Sequence, residues 1–310
     1  GDEKIASKSE ERAKASVDVA TTSEAWNGAG NYAKYTQAWR YFNSVEDGSR
    51  VSKGWFKVVA AEMLNKDKYD DDEDAWYYAD GSGKLYAGEF KTIKGKKYAF
   101  RNDGRMINGL KFIKEGTNDF EDEGYKCYYF GGDEDGAMRT GKTSLTFDGE
   151  NTNFYFEKSG GKKGAGVTGE KDNKLYQSGM LLKADSDDKY TVVDKETHTK
   201  ADGTKYVTYT KLDDAKAFMD SVKNNGGKVN DELAGKEGST KVTVGSNTTK
   251  KAEDLAEAYS VELKDVKNHE YILVNTSGKV IDNKGKNKDG SDYYYVTDSN
   301  GKITNIYVED

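Results

Sequence analysis

Trp76-Tyr77-Tyr78-Ala79-Asp80-Gly81-Ser82-Gly83-Lys84-Leu85-Tyr86-Ala87-Gly88 is the stretch that decides the fold. It reads as an aromatic run, a glycine-centred turn, an aliphatic residue and a closing glycine. The same order returns in Tyr98-Ala99-Phe100 through Gly104-Arg105-Met106-Ile107-Asn108-Gly109. Laying Gly83 on Gly104 puts Leu85 on Met106 and Gly88 on Gly109. Laying Gly104 on Gly136 puts Met106 on Met138 and Gly109 on Gly141, downstream of Tyr128-Tyr129-Phe130. A recurring unit this short cannot bury a core alone and has to stack on its neighbours. The expectation is a mainly β fold of stacked β-hairpin repeats, β-solenoid-like. Gly83, Gly104 and Gly136 should lie at the turns, with Leu85, Met106 and Met138 pointing inward.

Outward from that core the same units fade in both directions. Upstream, Trp39-Arg40-Tyr41-Phe42 leads through Asp47-Gly48 to Gly54-Trp55. Downstream, Asn153-Phe154-Tyr155-Phe156, Leu175-Tyr176-Gln177-Ser178-Gly179-Met180 and Tyr190-Thr191-Val192-Val193 read as short strands bounded by turn residues. Consecutive hairpins are expected over 35–180. Near residue 200 the period changes. Leu212, Ala215, Phe218, Met219 and Val222 follow helical spacing, opened by Thr210 and Asp213 and stopped by Asn225-Gly226-Gly227, which predicts a helix over 211–224. Ala252, Leu255, Ala256 and Tyr259, after Thr248-Thr249, predict a second, shorter helix. Turns at Ser277-Gly278 and Asn300-Gly301 then bring the hairpins back. The organisation read from these shifts is an N-terminal linker over 1–25, hairpin repeats over 26–200, a small α/β insertion over 201–265 and C-terminal hairpin repeats over 266–310.

Composition fits such a chain. Hydrophobic residues are 35% and aromatics 12%, with 22 Tyr and 11 Phe, so burial leans on rings, each covering roughly 150–250 Å². The 310 residues hold no Pro, which leaves turn-making to 34 Gly and to steps such as Asp103-Gly104 and Asp135-Gly136. A formal charge of −7 with interspersed signs gives no basic stripe for nucleic acid. No apolar run approaches the roughly 20 residues that span a bilayer. The chain opens on Gly1, the kind of residue a cleavage leaves, so the expectation is a leader peptide removed upstream and a secreted or cell-surface protein. The single Cys127 sits in an aromatic run and reads as a buried strand residue.

Trp39 through Trp55, Trp76 through Gly88 and Tyr98 through Gly109 resemble the cell-wall-binding (choline-binding, glucan-binding) repeats of Gram-positive surface proteins. The resemblance covers about 35–180 and, more weakly, 266–305. It implies hairpins stacked in a superhelix that hold choline of teichoic acids, or glucans, against aromatic side chains between consecutive hairpins. On that reading Trp55, Trp76 and Tyr78, with Phe90, form one cage, and Trp39 with Tyr41 line a second. The pattern departs from the choline type after the closing glycines: Gly54-Trp55 keeps the family's Trp, whereas Glu89, Leu110 and Lys142 follow Gly88, Gly109 and Gly141. Sugar is therefore expected ahead of choline, because apolar C–H faces of a sugar stack on the same rings that attract a quaternary ammonium.

The expected partner is a cell-wall polymer or polysaccharide, with no cofactor, no metal and no catalytic residue. Asp70–Asp74 reads as an exposed acidic run rather than a Ca²⁺ loop. His198 and His269 lie far apart in the chain without the three or four organised ligands of a zinc site. Two rival readings share these residues. In one the repeats are a structural or adhesin spacer and a host or surface protein is bound elsewhere. In the other a carboxylate pair among 55 acids processes glycans.

Overall fold

The computed structural model describes residues 23–26, 31–43, 48–115, 125–147 and 149–310. The chain divides into two compact units, one ending at Gly166 and the other running from Val167 to Asp310.

Unit 1 is a run of antiparallel hairpins. Strand β1 (Ser23–Trp26) precedes helix α1 (Asn31–Ala38). The hairpins are β2 (Gly54–Val59) with β3 (Asp74–Ala79), β4 (Glu89–Ile93) with β5 (Lys96–Phe100), β6 (Leu110–Glu115) with β7 (Tyr125–Tyr129), and β8 (Gly141–Phe147) with β9 (Glu150–Phe156). The stack is hydrogen-bonded through the backbone just after each turn. Met106 donates its N–H to the Trp76 carbonyl of the preceding hairpin, and Ile107 donates to Ala99 of its own, both at 2.8 Å. Met138 and Arg139 repeat this on Lys97 and Tyr129, also at 2.8 Å, and Gly166 donates to Cys127 at 2.7 Å. Side chains follow the same register. A methyl added to Gly136 would overlap the Met106 thioether, and one added to Gly164 would overlap that of Met138. Leu85 and Met106 are buried as expected, and Met138 is half-buried.

Among the described residues six turns share one backbone frame, five with Gly at the fourth place and one, Asp289–Tyr293, with Asp292 there at φ +69°. In Asp80–Lys84, Arg101–Arg105, Lys200–Thr204, Asn275–Lys279 and Asp298–Lys302 the first residue donates to the fifth carbonyl, and the fourth, always Gly, donates to the first. That glycine is left-handed, with φ +80° at Gly83 and +77° at Gly301, where any other residue is strained. An acidic or amide side chain completes the frame. Asp80, Asn275 and Asp298 each accept the N–H groups two and four residues on, and Asp103 and Asp202 accept the N–H two residues on. At Asp80, burial pulls the carboxyl pKa up, but the bonds from Ser82 and Lys84 outweigh it and hold the pKa below the ordinary range.

Three expectations for this half need correction. Residues 23–25, assigned to a linker, belong to β1, which pairs in parallel with β6; residues 1–22 lie outside the described residues. Residues 31–38 are helical. Ala33 and Thr36 are fully buried because α1 lies against glycine: Cβ atoms built on Gly88 and Gly104 would come within 3.0 Å of Ala33 Cβ and 3.2 Å of Thr36 Cγ2. A short helix α2 (Lys66–Asp70), capped by Asn65, also interrupts β2–β3.

Unit 2 opens with a three-stranded meander, β10 (Gly169–Lys171), β11 (Lys174–Gln177) and β12 (Met180–Leu181). Strands β13 (Tyr190–Thr199) and β14 (Lys205–Lys211) lead into helix α3 (Ala215–Asn224). Then come β15 (Lys228–Asp231), β16 (Lys241–Gly245), β17 (Thr248–Lys251), β18 (Leu255–Glu262), β19 (His269–Asn275), β20 (Gly285–Lys288), β21 (Tyr294–Thr297) and β22 (Ile303–Glu309). One sheet has the order β14-β13-β19 and another β15-β18-β22-β21-β20. Strands β14, β15 and β18 of 201–265 are thus hydrogen-bonded into the same sheets as strands of 266–310, β16 and β17 form a two-stranded sheet of their own, and all stand inside one unit. Helix α3 starts later than the spacing suggests. Its cap is Asp214, which accepts from Ala217 N–H at 2.7 Å, rather than Thr210 with Asp213. Phe218 and Val222 are fully buried against the sheets, with Phe218 edge-on to Tyr271 at 5.2 Å.

The second predicted helix is not there. Residues 248–262 are β17, one 3-10 turn and β18. A bulge shifts the β18–β22 register between Leu255 and Glu257, so Leu255 and Ala258, three apart, are buried in one cluster, while Val261 is buried in the cluster on the other face. A bulged strand spaces its buried residues by three, which imitates a helix.

Candidate functional site

Strand register decides which rings meet. Trp55 pairs with Tyr78 across β2–β3, and Lys57 pairs with Trp76, so these four side chains share one face. Phe56 and Tyr77 share the other. The first face looks toward the following hairpin, where Tyr98 and Phe100 point back. Trp55 is the hub. Its ring is perpendicular to Trp76 (centroids 6.3 Å apart, 88°) and steep to Tyr78 (5.1 Å, 77°) and Tyr98 (4.8 Å, 66°). Phe100 lies at 5.8 Å and is wholly buried, while Trp55, Trp76 and Tyr98 keep partial exposure. Edge-to-face contacts of this kind are worth about 0.5–1.5 kcal/mol each beyond area burial.

A polar rim borders Trp76. Glu134 accepts from Trp76 Nε1 at 2.9 Å and from Lys57 Nζ at 2.7 Å. The Glu134 bond raises the Lys57 ammonium above its ordinary pKa, and the bonds from Lys57 and then Trp76 hold the Glu134 carboxyl below the usual carboxylate range. Burial pushes the Tyr98 and Tyr86 phenols up, so both stay neutral donors. The site thus offers partly open indole and phenol rings next to a fixed ammonium–carboxylate pair.

Of the six ring residues expected from sequence, the structure brings Trp55, Trp76 and Tyr78 together. Phe90 heads the next cluster. It pairs with Ala99 and meets Tyr128 (5.1 Å) and Phe130 (6.3 Å), as Trp55 meets Tyr98 and Phe100 one hairpin earlier. Leu110 pairs with Tyr129 in the corresponding place one hairpin further on. The series Trp55, Phe90, Leu110 therefore loses ring area step by step. Trp39 and Tyr41 lie one step before. Tyr41 stacks on Phe56 at 4.5 Å, and Trp39 packs in the cluster of Leu64, Tyr77 and Ala79. Tyr98, Lys57 and Glu134 were missed. The repeat gave a signal for Tyr98, which aligns with Tyr77, but none for Glu134, which reaches back from another hairpin.

The chain's own ammonium groups sit by several of these rings. Lys97 Nζ is 4.6 Å from the Phe90 centroid, Lys91 Nζ 4.9 Å from Tyr86 and Lys57 Nζ 5.9 Å from Trp76. Where a quaternary ammonium would seek a ring face, a lysine is already near.

Elsewhere, Cys127 is buried in β7 and burial pushes its thiol pKa far up. The two histidines, distant in sequence, meet on one sheet face. His269 Nδ1 bonds Asp194 (2.8 Å), and His269 Nε2 and His198 Nε2 lie 3.8 and 3.6 Å from the two oxygens of Glu196. Among the described residues no cluster of three or more His, Cys, Asp or Glu side chains is arranged to hold a metal ion. No described helix is long and apolar enough to cross a membrane.

No protein-family model matches the chain, and neither does any curated protein. Solved structures do match. Choline binding protein F from Streptococcus pneumoniae aligns with 54% of this chain and 48% of its own, at 23% identity and a TM-score of 0.31. The Cpl-1 endolysin of phage Cp-1 aligns over 49% and 38%, at 18% identity and a TM-score of 0.22. The modular autolysin LytC from Streptococcus pneumoniae aligns over 61% and 38%, at 16% identity and 0.20. The chain spans about half the length of the first and less of the others.

Proposed function

We propose that this is a non-catalytic binding protein for a cell-wall polymer or polysaccharide, acting outside the cell, with the Trp55–Trp76–Tyr98 cluster as its ligand platform. The observation that carries the reading is a set of half-exposed rings between two hairpins, bordered by Lys57 and Glu134. A sugar lays its C–H face on an indole or phenol, and its rim hydroxyls exchange hydrogen bonds with a nearby charged pair. Lys57 donates and Glu134 accepts, so together they satisfy hydroxyls of either sense.

Sugar is favoured over choline. A cation–π contact is worth about 0.5–2 kcal/mol, and at Trp76 the Lys57 ammonium, 5.9 Å from the ring centroid, already stands where a second cation would bind. The spacer reading draws on a different observation: Tyr78 and Phe100 of the same cluster are buried and seal one hairpin against the next. A glycan array with choline as competitor separates these readings. Retention on a polysaccharide that choline does not displace is the expected result. Elution by choline would move the assignment to a cation cage, and retention on no glycan would leave the spacer.

A further inference from the structure

Unit 2 contains a cavity of about 350 Å³ between hairpin β16–β17 and the β20–β21 strands with their following turn. The approach of the two parts depends on Gly245, which stands at a register shift in β16: a Cβ there would come within 3.1 Å of Val296 Cγ1. Val244 and Val296, both buried, form the apolar floor. Ser246, Thr248, Ser299 and Thr304 line the wall, with the Thr248 and Thr304 hydroxyls donating to the Ser246 and Val296 carbonyls and keeping their oxygens as acceptors.

Charge at the mouth is one-sided. Lys284 and Lys286 both line the cavity, and neither has an ion-pair partner among the described residues. Lys288, two residues further along β20, is engaged: it pairs with Asp292 at 3.2 Å and lies 5.4 Å from the Tyr294 ring centroid. The lining's single acid, Asp298, has its Oδ1 committed to the N–H groups of Asn300 (2.8 Å) and Lys302 (3.0 Å).

We propose that this cavity binds the phosphate ester of a small polyol or sugar. Two unpartnered ammonium groups match the charge of about −1.5 to −2 on a phosphate monoester better than the single charge of a carboxylate. Lysine serves phosphate as a point charge. The hydroxyl-lined wall over an apolar floor takes a polyol carbon chain with its own hydroxyls. The volume lies at the small end of the roughly 300–1,000 Å³ of ligand pockets, which suits one ring or a short chain. Lysines on an edge strand also discourage strand pairing, but that role predicts no saturable ligand. The site lies within unit 2 and stands or falls independently of the Trp55 platform.

The test is calorimetric titration of the full chain at low salt with glycerol 3-phosphate, inorganic phosphate, glucuronate and glycerol as separate arms. Saturable binding of glycerol 3-phosphate is expected, tighter than inorganic phosphate or glucuronate and absent for glycerol. The double variant Lys284→Gln/Lys286→Gln should weaken it about tenfold or more at unchanged melting temperature, as loss of charged hydrogen-bond donors requires. Ser246→Trp, which fills the mouth and keeps both lysines, should abolish it. No saturable binding by the wild type, or equal binding by the double lysine variant, overturns the site. Equal affinity for inorganic phosphate overturns the polyol part, and tighter glucuronate binding overturns the choice of phosphate.

Discussion

Gly136→Ala tests the stacking mechanism. Gly136 is left-handed at φ +74°, and a methyl placed on it overlaps the thioether of Met106 from the preceding hairpin. Two costs combine. An alanine forced into the left-handed region costs about 1–2 kcal/mol. Overpacking against a methionine that has to swing aside costs about 1–3 kcal/mol. Together they amount to about 2–5 kcal/mol. The second part depends on Met106, so Met106→Ala removes it while costing about 2–5 kcal/mol by itself through the space it leaves. The double variant should therefore be less destabilised than the sum of the singles by about 1–3 kcal/mol. Denaturant unfolding followed by tryptophan fluorescence reads unit 1 alone, because Trp26, Trp39, Trp55 and Trp76 all precede Gly166. Strictly additive singles would refute the interlock between Gly136 and Met106. A Gly136→Ala variant as stable as the wild type would refute the backbone argument as well.

Asp103 has a fully buried carboxylate that accepts from Arg105 Nε and Asn65 Nδ2, both at 2.6 Å. Asp103→Ala should cost about 3–5 kcal/mol because it removes a buried carboxylate that accepts from both a mostly buried guanidinium and a buried amide, as measured by the same fluorescence transition. In unit 2, burial pushes the Asp194 carboxyl pKa up, against the pull of the hydrogen bond from His269. The folded state then holds the proton more tightly than the unfolded chain, whose value is about 3.9. Stability from this group is present at low pH and lost as pH rises through the folded pKa. The stability difference between wild type and Asp194→Asn, followed by far-ultraviolet circular dichroism from pH 4 upward, should move against the wild type. A flat difference, or one of opposite sign, would contradict the burial argument.

Local rules were legible where one unit repeats. Gly83, Gly104 and Gly136 stand at turns because only glycine takes that backbone freely, and the register of Leu85, Met106 and Met138 is the register of the stack. The family resemblance grouped Trp55, Trp76 and Tyr78 as residues of adjacent units, and the structure brings them together on one face of the single hairpin β2–β3. Helix α1 escaped notice because Asn, Tyr and Thr, half of its eight residues, are modest helix formers, and what holds it is contact with Gly88 and Gly104 far along the chain. Residues 252–259 misled because the bulge near Leu255 gave a strand the spacing of a helix. Neither the Glu134 bridge to Lys57 and Trp76 nor the meeting of His198 and His269 around Glu196 leaves a trace in local sequence. Both depend on pairings between segments that the sequence does not number.

Trp76→Ala bears most directly on the ligand platform. Its ring is half-exposed, borders the cluster and carries the bond to Glu134, so removing it opens the platform while Trp55, Tyr78 and Phe100 still close the hairpins. Retention of wild type and variant on purified cell-wall polysaccharide, with the unfolding transition of unit 1 recorded on the same preparations, is the measurement. A platform predicts retention weakened by about 1–3 kcal/mol, the usual loss for a central aromatic anchor, in a protein that still unfolds cooperatively. Unchanged retention alongside a stability loss of about 3–5 kcal/mol, the cost of truncating a core ring, would contradict it.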